Sequence, residues 1–185
     1  AVNEHRVRYT IYMTKFLPSQ QTQFINYYHQ YFQAIYRYIG FRVGSKAETE
    51  DLVSEIFLKA LEHYPRYSAR EHIPFSSWLF RIAKNTLTDF YRKNKKKTLN
   101  IEDVPDIIDH SPLPDRTVDT KFLFLQVKEI VEKLPKKQKE VVTLRLFGQL
   151  QNKEIATVLS LSEKTIASTY LRAMRKISSQ LNPLL

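Results

Sequence analysis

The chain has 185 residues, of which 43% are hydrophobic and 12% aromatic, so it can build cores and is not wholesale disordered. Its formal net charge of +10 points to a polyanionic partner. The absence of cysteine excludes a disulfide framework and a thiolate zinc site, and no apolar run approaches the roughly 20 residues of a membrane span.

With only three glycines and long periodic stretches of Leu, Lys, Gln, Glu and Ala, the expected fold is all-α: two small helical domains joined by an extended acidic linker. Residues 1–18 read as an N-terminal extension without signal-peptide character. The part before Met13 has no clear pattern, is open to being vector-derived or upstream of an alternative start, and is assigned no role. The first domain is expected over residues 19–97. It starts with an aromatic-rich helix in which Phe24, Tyr27, Tyr28, Tyr31, Phe32, Ile35, Tyr36 and Ile39 fall on a broad stripe, most of it core. Gly40 and Gly44 bracket a break, and Ser45-Lys46-Ala47-Glu48 is a capping-box pattern for the next helix. There Leu52, Val53, Ile56, Phe57, Ala60 and Leu61 point inward. Asp51, Glu55, Leu58 and Glu62 line another face, an acidic-apolar stripe suited to a protein partner.

A loop from Arg66 to Pro74 carries Tyr67, Arg70 and His72. A long helix then runs from about Phe75 to Lys96, with Trp78, Leu79, Ile82, Ala83, Leu87 and Phe90 inward. Arg81, Lys84, Asn85, Thr88, Asp89, Arg92 and Lys93 lie elsewhere on its surface. Cations beside aromatics and an amide match what single-stranded nucleic acid requires: rings stack on bases, amides read exposed edges and lysines follow the backbone.

Residues 98–119 change character. Glu102, Asp103, Asp106, Asp109, Asp115 and Asp119 stand against Arg116 alone, and Pro105, Pro112 and Pro114 interrupt any helix. This segment is the acidic linker. The second domain, residues 120–185, contains a helix-turn-helix near its end. The first short helix is expected to bury Ile155, Ala156 and Leu159. Ser160-Leu161-Ser162 connects it to the next, with Ser162 as N-cap. The second helix is expected to bury Ile166, Tyr170, Ala173 and Ile177, leaving Thr165, Ser168, Thr169, Arg172 and Arg175 on a face that can enter a DNA major groove. Small polar groups there approach base edges, and the arginines reach phosphates.

Residues 49–61 (TEDLVSEIFLKAL) followed by 75–85 (FSSWLFRIAKN) resemble region 2 of an extracytoplasmic-function sigma factor of the sigma-70 family. Residues 134–142 (LPKKQKEVV), with the helix-turn-helix after them, resemble region 4. The resemblance covers about residues 20–97 and 120–181, in the family's order. It implies a non-enzymatic cytoplasmic factor that binds core RNA polymerase and directs promoter-specific initiation. By that resemblance Asp51, Leu52, Glu55, Leu58 and Glu62 would dock on the β′ clamp helices. Tyr67, Arg70, Phe75, Lys84, Asn85, Thr88, Asp89 and Arg92 would capture the unpaired −10 strand. Lys153, Lys164, Thr165, Ser168, Thr169, Arg172, Arg175 and Lys176 would read the duplex −35 element. The resemblance also implies contact with the β flap, a linker threading towards the polymerase active site, and an anti-sigma factor as a candidate regulator. There are departures: Lys164 precedes Thr165 where glycine is frequent, Ala167 and Thr169 replace common basic residues, Ser54 a common glutamine, and Ser160 a turn glycine.

Two rival readings account for less. A recombinase or nuclease needs a nucleophile with an arginine cluster, or carboxylates gathered around a metal. Here the carboxylates lie in the linker or scattered on helix faces. His5, His29, His63, His72 and His110 show no ligand spacing, so neither metal nor cofactor is expected. A stand-alone helix-turn-helix regulator explains residues 134–181 but leaves the basic-aromatic helix after Phe75 without a purpose.

Overall fold

In the computed structural model, which describes residues 9–68, 73–94 and 118–181, the helical periodicities become helices, and no strand occurs among the described residues. The order is α1 (Pro18–Val43), α2 (Lys46–Ser68), α3 (Phe75–Lys93), α4 (Val118–Glu132), α5 (Lys136–Leu146), α6 (Asn152–Leu159) and α7 (Glu163–Leu181). The chain divides into two compact units, residues 1–107 with α1 to α3 and residues 108–185 with α4 to α7. The fold is thus all-α with two helical units. The linker expected over 98–119 lies outside the described residues as far as Thr117, as do Lys95, Lys96 and Lys97.

In the first unit, Pro18 presets the opening turn of α1, and Gly44 ends the helix at φ 83° with its N–H donating to the Gly40 carbonyl. The expected break at Gly40 does not occur. Gly40 lies buried inside α1, between residues Tyr38, Ile39, Phe41 and Val43 that are buried as well, and this packing carries the helix past the weak former. Ser45 caps α2 by accepting from the Glu48 N–H at 3.4 Å, while the Thr49 hydroxyl donates to the Ser45 carbonyl at 2.6 Å. α2 then runs through Pro65 to Ser68, so Arg66–Ser68 belong to the helix and not to the expected loop. Proline costs an interior helical hydrogen bond. Here the turn is held by Tyr64, which packs on Phe16, Phe24 and Phe75 at 5.2–6.3 Å between ring centroids.

Ahead of α1, residues 9–13 form a helical turn where no pattern was visible. The segment is tied down: Phe16 is buried, and the Gln21 side chain donates to the carbonyls of Met13 (2.8 Å) and Phe16 (3.2 Å). α3 ends at Lys93, earlier than expected, with Asn94 as C-cap. The Tyr91 hydroxyl donates to the Arg42 carbonyl at 2.6 Å, tying that end to the end of α1.

In the second unit Ile130, Val131 and Leu134 meet Val141, Val142 and Leu144 of α5, Ile155 and Val158 of α6, and Ile166, Ala173 and Ile177 of α7 in one core. Lys139 bridges α5 to Glu132 of α4 at 2.6 Å. Two expected core positions shift. Val158 is buried where Leu159 was expected, and Leu159 is half-buried; Thr169 is buried where Tyr170 was expected, and Tyr170 is half-buried. In both cases the stripe takes i+3 and not i+4, from Ile155 to Val158 and from Ile166 to Thr169, a choice that sequence spacing alone leaves open.

Candidate nucleic-acid interface

The turn into α7 is built from serines. Ser160 takes a left-handed conformation at φ 54°, ψ 49°, where glycine would sit without strain, and the Leu161 N–H donates back to the Ala156 carbonyl. Ser162 caps α7: its Oγ accepts from the Thr165 N–H at 3.1 Å and lies 2.8 Å from the Thr165 hydroxyl. From this start α7 points its core face inward and leaves Lys164, Ser168, Arg172, Arg175 and Lys176 exposed, with Thr165 half-buried. Lys153, on α6, is exposed as well. Arg172 Nε donates to the Ser168 carbonyl at 3.3 Å, laying its stem back along the helix.

Thr169 does not belong to this face. It is 2% exposed, because the stripe Ile166, Thr169, Ala173, Ile177 turns it into the core, so it cannot touch a base or a phosphate. Leu171, absent from the sequence-based set, is 58% exposed and stands among the cations. Its phase carried the signal, since it lies three residues after Ser168 and four before Arg175.

On α3, Arg81, Asn85, Thr88 and Arg92 are all exposed, and their 4-3-4 spacing places them on one line. Lys84 and Asp89 flank it, half-buried; Asp89 pairs with Arg92 at 3.2 Å, and the Thr88 hydroxyl donates to the Lys84 carbonyl at 2.8 Å. Phe75 is corrected from strand contact to core: it is 4% exposed and stacks flat on Tyr27, 3.9 Å away with 7° between the rings. Against it lie Tyr67 of α2 and Trp78 of α3, both half-buried and stacked 4.6 Å apart. The Tyr67 hydroxyl donates to the Ile73 carbonyl at 3.0 Å. Arg70 lies outside the described residues. Burial, with neighbouring tyrosines, holds the Tyr67 phenol above its ordinary range and pushes Tyr64 up to about 12, so both keep their protons further into alkaline pH than an ordinary tyrosine.

The acidic face of α2 is smaller than expected. Asp51 is exposed, and Glu55 and Glu62 are half-buried, Glu55 pairing with Lys59 at 2.6 Å. Leu52 and Leu58 are each 5% exposed and serve the core. Seven residues separate Leu58 from Asp51, but the packing of α1 and α3 around α2 widens the buried sector to include it. What remains outside is polar: Glu50, Asp51 and Ser54. Lys59 reaches across to donate to the Thr86 hydroxyl of α3 at 3.1 Å.

These two units match known sequence families in order: sigma-70 region 2 over residues 27–97 and sigma-70 region 4 over residues 124–177. The RNA polymerase sigma factor SigZ of Bacillus subtilis is 30% identical over 82% of this chain and 83% of its own length. The chain belongs to the sigma-70 family, in its extracytoplasmic-function group. The ECF sigma factor BldN of Streptomyces coelicolor is 32% identical over 82% of this chain, which spans 57% of that longer protein. In fold, the chain is similar to the sigma factor RpoE of Bartonella quintana, solved with the anti-sigma factor NepR: TM-score 0.65 at 18% identity, over 86% of this chain and 97% of that one. As a sigma-70 family member the chain places its region 2 on α1 to α3 and its region 4 on α4 to α7. No helix among the described residues is long and apolar enough to cross a membrane.

Proposed function

We propose that this sigma factor joins core RNA polymerase in the cytoplasm and grips a promoter in two physical states. α7 reads the intact −35 duplex, with Lys164, Thr165 and Ser168 near base edges and Lys153, Arg172, Arg175 and Lys176 on phosphates. α3 holds the unpaired −10 strand along Arg81, Asn85, Thr88 and Arg92, beside the Tyr67–Trp78 stack. Asp51, Glu55 and Glu62 of α2 offer the clamp helices a polar, anionic docking face, and the second unit contacts the β flap. The observation that carries the reading is the ordered pair of region 2 and region 4 matches, each on its own helical unit.

Extruding a base costs a few kcal/mol, and stacking returns about 1–3 kcal/mol per base. Opening is then driven by capture of the strand, without hydrolysis or any catalytic group. An anti-sigma protein is a further expected partner, with Leu123 and Leu125 of α4 and Leu146 of α5 exposed and available to it. A pull-down that recovers polymerase alone would remove that partner. The central test is run-off transcription: core polymerase plus this chain should start at discrete promoters selected from genomic DNA. A chain that binds core without directing a start site, or binds no core, defeats the proposal. The stand-alone regulator reading predicts duplex binding with no such initiation.

A further inference from the structure

Among the described residues of the second unit, Leu171 is the most exposed of the large hydrophobic side chains. Single apolar residues on a surface are ordinary and carry no meaning by themselves. This one differs in its position. The buried residues Ile166, Thr169, Ala173 and Ile177 define one side of α7, and at about 100° per residue the line Lys164, Ser168, Leu171, Arg175 runs along the opposite side. Leu171 therefore sits at the centre of the face furthest from the core, with Arg172 beside it.

A protein partner fits this surroundings poorly. A docking face needs a contiguous apolar patch, and the only apolar neighbours of Leu171 on the helix surface, Ala167 four residues before and Met174 three after, are half-buried, whereas Lys164, Ser168, Arg172 and Arg175 around it are exposed, so a protein seated there would have to strip water from cations. A major groove offers both requirements at once: phosphates for the cations on its rims, and one apolar group on its floor, the 5-methyl of thymine. Reach is adequate. The groove, about 12 Å wide, admits a helix of about 10–12 Å diameter, and Leu171 lies eight residues into α7, about 12 Å along its axis and within its first three turns.

We propose that Leu171 is a specificity-determining residue of the −35 reader, packing on the methyl group of a thymine in the major groove. This rests on the reading of α7 as the duplex reader. Ser168, one turn earlier, donates its hydroxyl proton to the Thr165 carbonyl at 3.1 Å, so towards the groove it presents lone pairs and accepts a hydrogen bond. The pair then reads an acceptor-facing donor at one step and a methyl at the next.

The test uses the full chain with core polymerase. A duplex library randomised upstream of the start site is selected for binding, and each thymine of the resulting consensus is replaced in turn by deoxyuridine, which removes only the methyl. One such replacement should weaken binding about fourfold, the equivalent of one buried methyl. Leu171→Ala should weaken the parent duplex by a similar factor and show no further loss on that deoxyuridine duplex. Because Leu171 is exposed, the variant should melt as the parent does. If every deoxyuridine duplex binds as well as its thymine parent, or if Leu171→Ala keeps full sensitivity to methyl removal, the inference is overturned while the duplex-reader assignment stands. If selection returns no upstream consensus, the assignment itself fails and takes the inference with it.

Discussion

Tyr64 shows how much one buried residue organises in the first unit. Its ring meets Phe16, Phe24, Tyr67 and Phe75, and its hydroxyl donates to Gln23 Oε1 at 2.9 Å. Burial pushes its pKa up to about 12 from the ordinary 10.0, so the unfolded chain releases the proton first as pH rises. Tyr64 thus contributes no pH dependence below pH 10, costs stability progressively between about pH 10 and 12, and adds nothing more above that window. Melting temperatures taken from pH 9 to 12 should fall for the parent and fall less for Tyr64→Phe; equal slopes would count against the burial argument. At Ser160 the expectation runs the other way. A non-glycine residue in the left-handed region costs roughly 1–3 kcal/mol, and the greater freedom that glycine loses on folding costs about 0.5–1 kcal/mol, so Ser160→Gly should leave the second unit between about equally stable and about 2.5 kcal/mol more stable by urea titration. A loss of 1 kcal/mol or more would mean that the serine makes a compensating interaction.

At the scale of elements, the informative positions are those where sequence and structure part. Helical phase in α3 was legible because its hydrophobic residues are large and its cations many, and Arg81, Asn85, Thr88 and Arg92 emerge on one line as a result. Asn85→Ala should slow promoter opening roughly three- to tenfold, the loss of about one hydrogen bond, with core binding unchanged. Weaker core binding with normal opening would move Asn85 to the polymerase face. Phase in α7 was harder to read. Threonine is small and ambivalent, so spacing alone puts Thr169 on the surface and Tyr170 in the core, whereas Ile166, Ala173 and Ile177 are buried as their spacing predicts. Long-range packing was not legible at all. Nothing local announces that Gly40 and Pro65 lie within helices, that Phe75 is clamped under Tyr27, or that Phe16 of the N-terminal extension belongs to the core. Phe16→Ala should therefore destabilise the first unit by about 3 kcal/mol. By loosening Tyr64, and through it the Tyr67–Trp78 stack, it should also weaken binding of a single-stranded −10 oligonucleotide more than it weakens core binding.

At the scale of the molecule, two units with separate cores and one shared sign of charge make a specific expectation about salt. Heating should give two transitions, and Phe16→Ala should move only one of them. On duplex DNA, each phosphate contact contributes about −0.9 to the slope of log affinity against log salt. If Lys153, Arg172, Arg175 and Lys176 each meet a phosphate, the slope for the −35 duplex is about −3.6, a loss of roughly 150-fold between 50 and 200 mM salt. Arg175→Gln should then flatten the slope by about 0.9 and weaken all duplexes alike, since a phosphate contact carries no sequence information. Ser168→Ala should do the reverse: it keeps the slope and narrows the gap between the preferred and a scrambled −35 sequence. The two variants separate positioning from reading on one helix face. Parallel behaviour, with both changing the slope or both changing the preference, would mean that α7 does not lie in the groove with Ser168 on its floor and Arg175 at its rim.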